Sequence, residues 1–213
     1  AFVNSILSSV MNFIFSSLFF GGVDSKETSL ILPFNRTVSS SEITEVTQGV
    51  FYFDGIKKTS LIKVEKPNTQ FFLFERNSYT IYYPNEGKAY KFELTEDIPV
   101  PFLGVIRSVT KPHFGLKTVG FSLISHEVEK GIIYTFWQPP KRAKKTLGVS
   151  ILGQRIANNC IVSFENKTPE GLTLSRASYQ NHYSFGSWII PMEITSYTRL
   201  PSSGFQKEEV IFQ

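Results

Sequence analysis

Alternating apolar and polar residues dominate residues 43–94 and predict five consecutive short strands. The alternation is clearest over residues 88–94, where Tyr90, Phe92 and Leu94 are separated by charged side chains. A period of two places such residues on one face of a strand. The sequence therefore predicts strands with one apolar face in this stretch.

Turn signals separate these runs. Asp54-Gly55 suits the positive φ angles of a tight hairpin, and Pro67 cannot donate to a sheet ladder. Short connections of this kind predict an up-and-down antiparallel meander. The five predicted strands cover residues 43–53, 58–65, 70–75, 79–83 and 88–94.

Residues 1–20 carry no charge, and their polar positions recur every three to four residues, which indicates an amphipathic helix. A signal segment would need a basic region before its apolar block, and a membrane span fits poorly with seven polar positions. We favour a helix that lies on the sheet over both alternatives. Residues 1–22 would then act as a lid or plug, with Ile6, Val10 and Ile14 on the apolar side.

Two further segments connect the strands. Residues 23–41 form a Ser- and Thr-rich linker with room for a short strand at residues 30–32. Residues 98–106 contain two prolines and are too apolar for an ordinary loop, which predicts a second plug containing Phe102 and Leu103.

The strand signal returns in the second half of the chain, with turns between most of the runs. About eleven strands and a few short helices predict a mainly β, α+β fold, either a closed barrel or an open barrel wrapped around its helices. A chain of 213 residues fits one such domain, residues 1–213. The later predicted strands cover residues 118–125, 131–137, 145–152, 159–166, 172–179, 189–199 and 205–212.

Composition excludes several classes of function. A net charge of +4 with no basic helical stripe does not favour nucleic acid. The single cysteine, Cys160, allows no internal disulfide. Aromatic residues reach 15% of the chain, with 20 Phe and 9 Tyr, enough to fill a large core or to line an apolar cavity.

Candidate chemistry is sparse. His113, His126 and His182 fall on separate predicted elements without ligand spacing, and the sequence contains no nucleophile elbow, P-loop or dinucleotide fingerprint. The sequence therefore predicts no catalytic residue, no metal and no cofactor, and an enzyme is the weaker hypothesis. The basic residues 141–145 are either a solvated hairpin tip or a contact for anionic lipid or an acidic partner.

The aromatic strands carry the strongest physical signal. If their side chains point into a curved sheet, they form a dry pocket for acyl chains. In the alternative, the same side chains pack on the helix of residues 1–20. The sequence does not distinguish between these two arrangements. The candidate ligand-binding residues are Phe72, Phe74, Tyr79, Ile81, Tyr83, Tyr90, Phe92, Tyr134 and Phe136.

The order of motifs in residues 41–106 resembles the LolA/LolB superfamily of periplasmic lipoprotein carriers and outer-membrane lipoprotein receptors. The resemblance implies an incomplete antiparallel β-barrel holding helices against its concave face. It also implies a periplasmic protein in a Gram-negative envelope. The motifs are residues 49–53, Lys66-Pro67-Asn68, Phe72 and Phe74, residues 79–84, residues 88–90 and Pro101-Phe102-Leu103.

The same resemblance implies partners. The ligand would be the acyl chains of a lipoprotein or other lipid. An inner-membrane exporter would deliver it and an outer-membrane acceptor would receive it, with only transient contact between this chain and the membrane. The sequence does not specify the oligomeric state. LolA proteins carry an arginine that holds the lid where this chain has Lys66, which lacks the planar fork of arginine. The alternative is an envelope interaction or sensor domain with the same fold and a filled core.

Overall fold

In the computed structural model, the described residues form thirteen antiparallel strands in one sheet. This sheet does not close, because the strands Lys88–Glu93 and Ser122–Glu129 lie at its two ends. The structure describes residues 29–75, 77–93, 102–109, 111–186, 188–201 and 204–213.

The described strands are β1 Leu30–Ser39, β2 Thr44–Asp54, β3 Thr59–Lys66, β4 Gln70–Phe74, β5 Ser78–Tyr83, β6 Lys88–Glu93, β7 Ser122–Glu129, β8 Ile132–Gln138, β9 Val149–Arg155, β10 Ile161–Lys167, β11 Thr173–Phe185, β12 Trp188–Arg199 and β13 Phe205–Phe212. They follow one another as hairpins in two sets. β1 to β6 extend from the middle of the sheet to one end, and β13 back to β7 extend to the other. The pairing of β1 with β13 joins the sets.

The first strand corrects the sequence prediction. β1 has ten residues and pairs on both sides, whereas the sequence predicted a linker with a short strand at residues 30–32. Pro33, which has no N–H to donate, is tolerated within this strand because of its position in the ladder. In the structure Pro33 lies beyond the last β13 residue of that ladder, and its carbonyl accepts a hydrogen bond from the Gln213 N–H.

Among the described residues, one α-helix and short 3₁₀ segments accompany the sheet. Helix α1, Leu103–Val109, begins inside the predicted second plug and ends three residues beyond it. The 3₁₀ segment Pro112–Val119 ends at Gly120, whose φ of 89° is left-handed, so β7 begins at Ser122 rather than at residue 118. Strand β9 likewise begins at Val149 rather than at residue 145, because residues 141–146 form a 3₁₀ helix and a turn.

The core lies between one face of the sheet and these helical segments. We call this the helix face. Phe102, which precedes α1, contacts Phe34 and Phe212, and Phe114 contacts Phe164 and Tyr179. The helix face is therefore one apolar surface that runs across both sets of strands.

The predicted helix of residues 1–20, including Ile6, Val10 and Ile14, lies outside the described residues. Within the part of the chain that is described, no helix has both the length and the apolar character needed to span a membrane.

Candidate functional site

A continuous row of apolar side chains crosses β4, β5 and β6 on the helix face. Phe72 is paired with Ile81, which is paired with Tyr90. Phe74 is paired with Tyr79 in the same way. Directly opposed residues of antiparallel strands share a face, so the register brings seven of the predicted ligand-binding residues together. These seven residues, which we call the aromatic row, are Phe72, Phe74, Tyr79, Ile81, Tyr83, Tyr90 and Phe92.

Ring contacts connect the aromatic row across the three strands. Tyr79 stacks on Phe92, with ring centroids 4.7 Å apart, and on Phe74, with centroids 6.3 Å apart. Tyr83 meets Tyr90 edge to face at 6.1 Å. These offset and edge contacts are the favourable geometries for aromatic pairs, so the row is a connected surface.

Exposure rises along the row towards the edge of the sheet. Phe72 and Ile81 are buried, whereas Tyr90 and Phe92 on β6 are 48% and 42% exposed. Burial also raises the pKa of the Tyr83 hydroxyl, with a smaller contribution from Glu86. The row therefore presents apolar and aromatic surface at its β6 end.

Two of the predicted plug residues, Phe102 and Leu103, lie on the same face of the sheet as this row but over other strands. Leu103 is buried, and the Phe102 ring lies 4.9 Å from Phe34, 5.5 Å from Phe212 and 6.1 Å from Phe51, measured between centroids. These contacts place the plug over β1, β2 and β13, in the middle of the sheet. The aromatic row starts two strands away, on β4.

Tyr134 and Phe136 do not join the aromatic row. They oppose Gly153 and Ile151, whereas the alternate residues of β8, Thr135 and Trp137, are buried on the helix face. Placing Tyr134 and Phe136 with the other aromatics was therefore wrong, because they lie on the opposite face of the sheet.

Tyr134 and Phe136 instead line a groove of about 530 Å³ on that opposite face, together with Glu127, Glu165 and Arg176. The Arg176 guanidinium lies 4.5 Å from the centre of the Tyr197 ring, which also lines the groove. The groove thus combines rings with charges of both signs, unlike the uncharged aromatic row.

Lys66 is exposed at the end of β3. The lid that it was predicted to hold falls in residues 1–22, outside the described residues, so its role stays a prediction.

The remaining candidate polar groups are dispersed. Burial is the largest cause that lowers the pKa of His182 and raises the pKa of the Cys160 thiol. The basic residues of 141–145 are exposed between β8 and β9. No group of three or more His, Cys, Asp or Glu side chains suitable for a metal is present in the described part of the chain.

Sequence reasoning missed a line of buried polar side chains next to the aromatic row. Arg36 pairs with Glu208 across β1 and β13, and Thr47 is paired with Arg36 on β2. Gln70 lies two residues before Phe72 on β4, so it shares the helix face with Phe72. That period-two relation was available in the sequence and could have identified Gln70.

Comparison of the sequence with family models and with curated proteins finds no match. Solved structures do match. A LolA superfamily protein from Nitrosomonas europaea has a TM-score of 0.54 at 12% identity, with 97% of this chain and 90% of that chain covered.

Two further structures are similar over most of their length. A putative outer membrane lipoprotein-sorting protein domain from Vibrio parahaemolyticus has a TM-score of 0.57 at 11% identity, with 89% of this chain and 85% of that chain covered. A DUF1329 family protein from Desulfovibrio piger has a TM-score of 0.57 at 10% identity, with 98% and 91% covered. Identities this low show a shared fold, and the prediction of a LolA-like, unclosed antiparallel sheet is confirmed.

Proposed function

We propose that this chain, which has a LolA-like fold, is a carrier that shields acyl chains of lipoproteins or other lipids on its helix face. The observation that carries the proposal is the aromatic row, which runs from buried Phe72 to half-exposed Tyr90 and Phe92. A surface of stacked rings without charge suits a hydrocarbon chain, and each buried CH2 contributes about 0.8 kcal/mol. An acyl chain of ordinary length can thus be held by apolar contact alone.

Release follows from competition between the cargo and the protein's own apolar segments. The Phe102 ring already occupies the middle of the helix face, against Phe34, Phe51 and Phe212. If this plug and residues 1–22 fill the apolar surface when no lipid is bound, cargo must displace them. Their return then favours release, and binding stays weak enough for transfer.

The partners follow from this role. The cargo would arrive from an inner-membrane exporter in the periplasm and pass to an acceptor at the outer membrane, with only transient membrane contact. The similarity to the putative lipoprotein-sorting protein domain from Vibrio parahaemolyticus supports this assignment through the fold alone. No chemical step is required, so we propose that the chain is not an enzyme.

The first experiment is native mass spectrometry of the gently purified full chain, with extraction and identification of any bound lipid. Displacement of a fluorescent fatty acid then gives the affinity for acyl chains. We expect bound lipid or saturable uptake of the probe. A chain that is always lipid-free and takes up no probe would support the alternative role, an envelope interaction or sensor domain with a filled core.

A matched pair of variants tests where the probe binds. Tyr90 on the helix face and Tyr82 on the opposite face lie on neighbouring strands and are 48% and 40% exposed. A tyrosine presents roughly 200 Å², so about 100 Å² of Tyr90 is open to a ligand, worth up to about 2.5 kcal/mol. If a chain covers half of that surface, Tyr90→Ser weakens binding about tenfold.

Tyr82→Ser is the control and should leave the affinity unchanged. Among the described residues, each tyrosine makes one ring contact of similar length, Tyr82 with Phe71 at 6.0 Å and Tyr90 with Tyr83 at 6.1 Å, so the two variants should lose similar stability. Equal loss of probe binding in both variants would contradict a site on the aromatic row.

A further inference from the structure

The loop between β8 and β9 concentrates positive charge on the surface. Residues 130–164 contain six Lys or Arg residues and no Asp or Glu. Four of these cations fall within this loop, and all four are exposed. No carboxylate of the described residues is ion-paired with any of them. The four cations are Lys141, Arg142, Lys144 and Lys145.

Hydrogen bonds hold this loop in one conformation. The Ala143 N–H donates to the Pro140 carbonyl, and the Leu147 N–H donates to the Ala143 carbonyl, each at 2.9 Å. Leu147, near the end of the loop, is buried. The loop therefore presents its charges from a fixed position, and a partner does not have to order it before binding.

A neighbouring turn adds an exposed apolar side chain to this surface. Gly148 packs on the turn of residues 168–172, since a Cβ at Gly148 would lie 2.4 Å from the Thr168 carbonyl oxygen. The Thr168 N–H donates to the Leu172 carbonyl at 2.8 Å, and Leu172 is 55% exposed. Glu170 is the only acidic residue of the loop and this turn. An aliphatic side chain thus lies next to the cations.

An exposed ring lies beside the same turn. The Arg199 Nε–H donates to the carbonyl of Thr173, which follows Leu172, at 2.8 Å. The Arg199 guanidinium lies 4.9 Å from the centre of the Phe205 ring, and this ring is 41% exposed. This end of the sheet therefore combines unpaired cations with exposed aliphatic and aromatic side chains.

The same end adjoins the 3₁₀ segment Pro112–Val119, which packs on the helix face through Phe114. A Cβ on Gly120, which ends this segment, would lie 3.6 Å from the Pro140 side chain. Lys117 of the segment is exposed and adds a further cation. The segment that covers part of the helix face therefore ends against the basic loop.

Charge and apolar exposure together select the partner. Each Lys or Arg near an anionic membrane surface strengthens binding about fivefold. Leu and Phe side chains beside such cations enter the boundary between lipid head groups and acyl chains. The charges alone would fit any polyanion, whereas the adjacent apolar side chains favour a bilayer, in which head groups cover hydrocarbon.

We propose that residues 139–148, the turn of residues 168–172 and Phe205 form a docking surface for an anionic lipid bilayer. The role of this surface rests on the proposed carrier function, since a carrier must meet the membrane with which it exchanges cargo. Docking here brings the end of the segment Pro112–Val119 to the bilayer, next to the helix face.

Vesicle flotation of the full chain tests this proposal. The vesicles contain either phosphatidylcholine alone or an equimolar mixture of phosphatidylcholine and phosphatidylglycerol. We expect binding to the anionic vesicles to be at least about tenfold tighter than to the neutral ones. Salt at about 1 M should remove most of this difference, because it shortens the screening length to about 3 Å.

Matched triple variants connect binding to the basic loop. Lys141→Gln, Lys144→Gln and Lys145→Gln in one chain should weaken binding to anionic vesicles about a hundredfold, from about fivefold for each lysine. The control changes Lys57, Lys58 and Lys130 to Gln, which removes the same charge from the exposed β2–β3 and β7–β8 turns at the other end of the strands. This control should keep most of the affinity, and equal losses in both triple variants would overturn the docking surface.

A further variant separates a bilayer from a soluble acidic partner. Leu172→Ser keeps every charge, and because half of the side chain is already open to solvent it should fold normally and weaken vesicle binding about fivefold. Binding of soluble polyglutamate as tightly as anionic vesicles, with no effect of Leu172→Ser on either, would assign the surface to an acidic protein and overturn the proposal.

The vesicle assay and the fatty-acid assay fail separately. A chain that takes up the fluorescent fatty acid but binds anionic and neutral vesicles equally would refute the docking surface and leave the carrier function standing. A chain that binds anionic vesicles through the basic loop but takes up no fatty acid would refute the carrier function and leave a membrane-docking surface.

Discussion

Replacing Phe102 by alanine removes the ring at the centre of the plug. That ring lies within 4.9 to 6.1 Å of Phe34, Phe51 and Phe212, measured between centroids. Phe34, Phe51 and Phe212 are all at least 97% buried, so the truncation opens a void against the packed centre of the sheet.

The loss of stability can be estimated from this packing. A Phe→Ala change in a core costs about 3–5 kcal/mol, and Phe102 is only partly buried, so we expect about 2–3 kcal/mol. The urea dependence of unfolding for a domain of this size is roughly 2–3 kcal/mol per molar, so the midpoint should fall by about 1 M. Urea unfolding followed by far-UV circular dichroism measures this shift.

Affinity for acyl chains should change in the opposite direction. If the Phe102 ring competes with cargo for the helix face, Phe102→Ala binds a fluorescent fatty acid more tightly even though it is less stable. Phe102→Leu keeps most of the apolar volume and is the control, with smaller changes in both quantities. A Phe102→Ala variant that loses stability and binds the probe no better, or less well, would refute the competition between plug and cargo.

Two further predictions concern the sheet itself. A Cβ on Gly49 would lie 2.2 Å from the Lys63 carbonyl oxygen, so Gly49→Ala should lower stability by about 1–3 kcal/mol or more. A Cβ on Gly153 would lie 2.3 Å from the Ser163 hydroxyl, which can rotate away, so Gly153→Ala should lower stability less. Thermal unfolding of both variants measures the difference, and equal losses of stability would contradict this reasoning. Burial lowers the pKa of His182 in the folded chain from its ordinary 6.5. As pH falls, this histidine therefore takes up a proton at a higher pH in the unfolded chain than in the folded chain. Stability should thus decrease as pH drops below about 6.5, until the pH passes the lower folded pKa. Urea unfolding at several pH values should show this loss reduced in His182→Gln, and an unchanged pH profile would argue against it.

Local alternation accounts for what the sequence predicted well. Strands β4 to β6 were predicted to within two residues, because Phe72, Ile81 and Tyr90 sit in short runs bounded by clear turns. Seven aromatic-row residues were grouped correctly for the same reason, since hairpin neighbours have a register that the turn largely fixes. That these residues bind a ligand stays a prediction.

Alternation says less about strands that are far apart. It identifies which residues share a face within a strand, but it does not say which of the two faces meets the core. In β8 both faces carry a large aromatic side chain. The burial of Trp137 and its ring contact with His113 in the 3₁₀ segment show that Trp137 faces the helical segments. The polar line was missed for a related reason, because the partners Arg36 and Glu208 are 172 residues apart in the chain.

The pairing of β1 with β13 has a consequence for how the chain folds. Every other strand pairing in the described sheet is between neighbours in sequence, so each set of strands can form through short-range contacts. Forming the β1–β13 pairing brings residue 34 opposite residue 212, and the Arg36–Glu208 ion pair connects these two strands. The apolar surface beneath the plug includes side chains from both sets of strands, so it depends on the longest-range strand pairing in the described sheet.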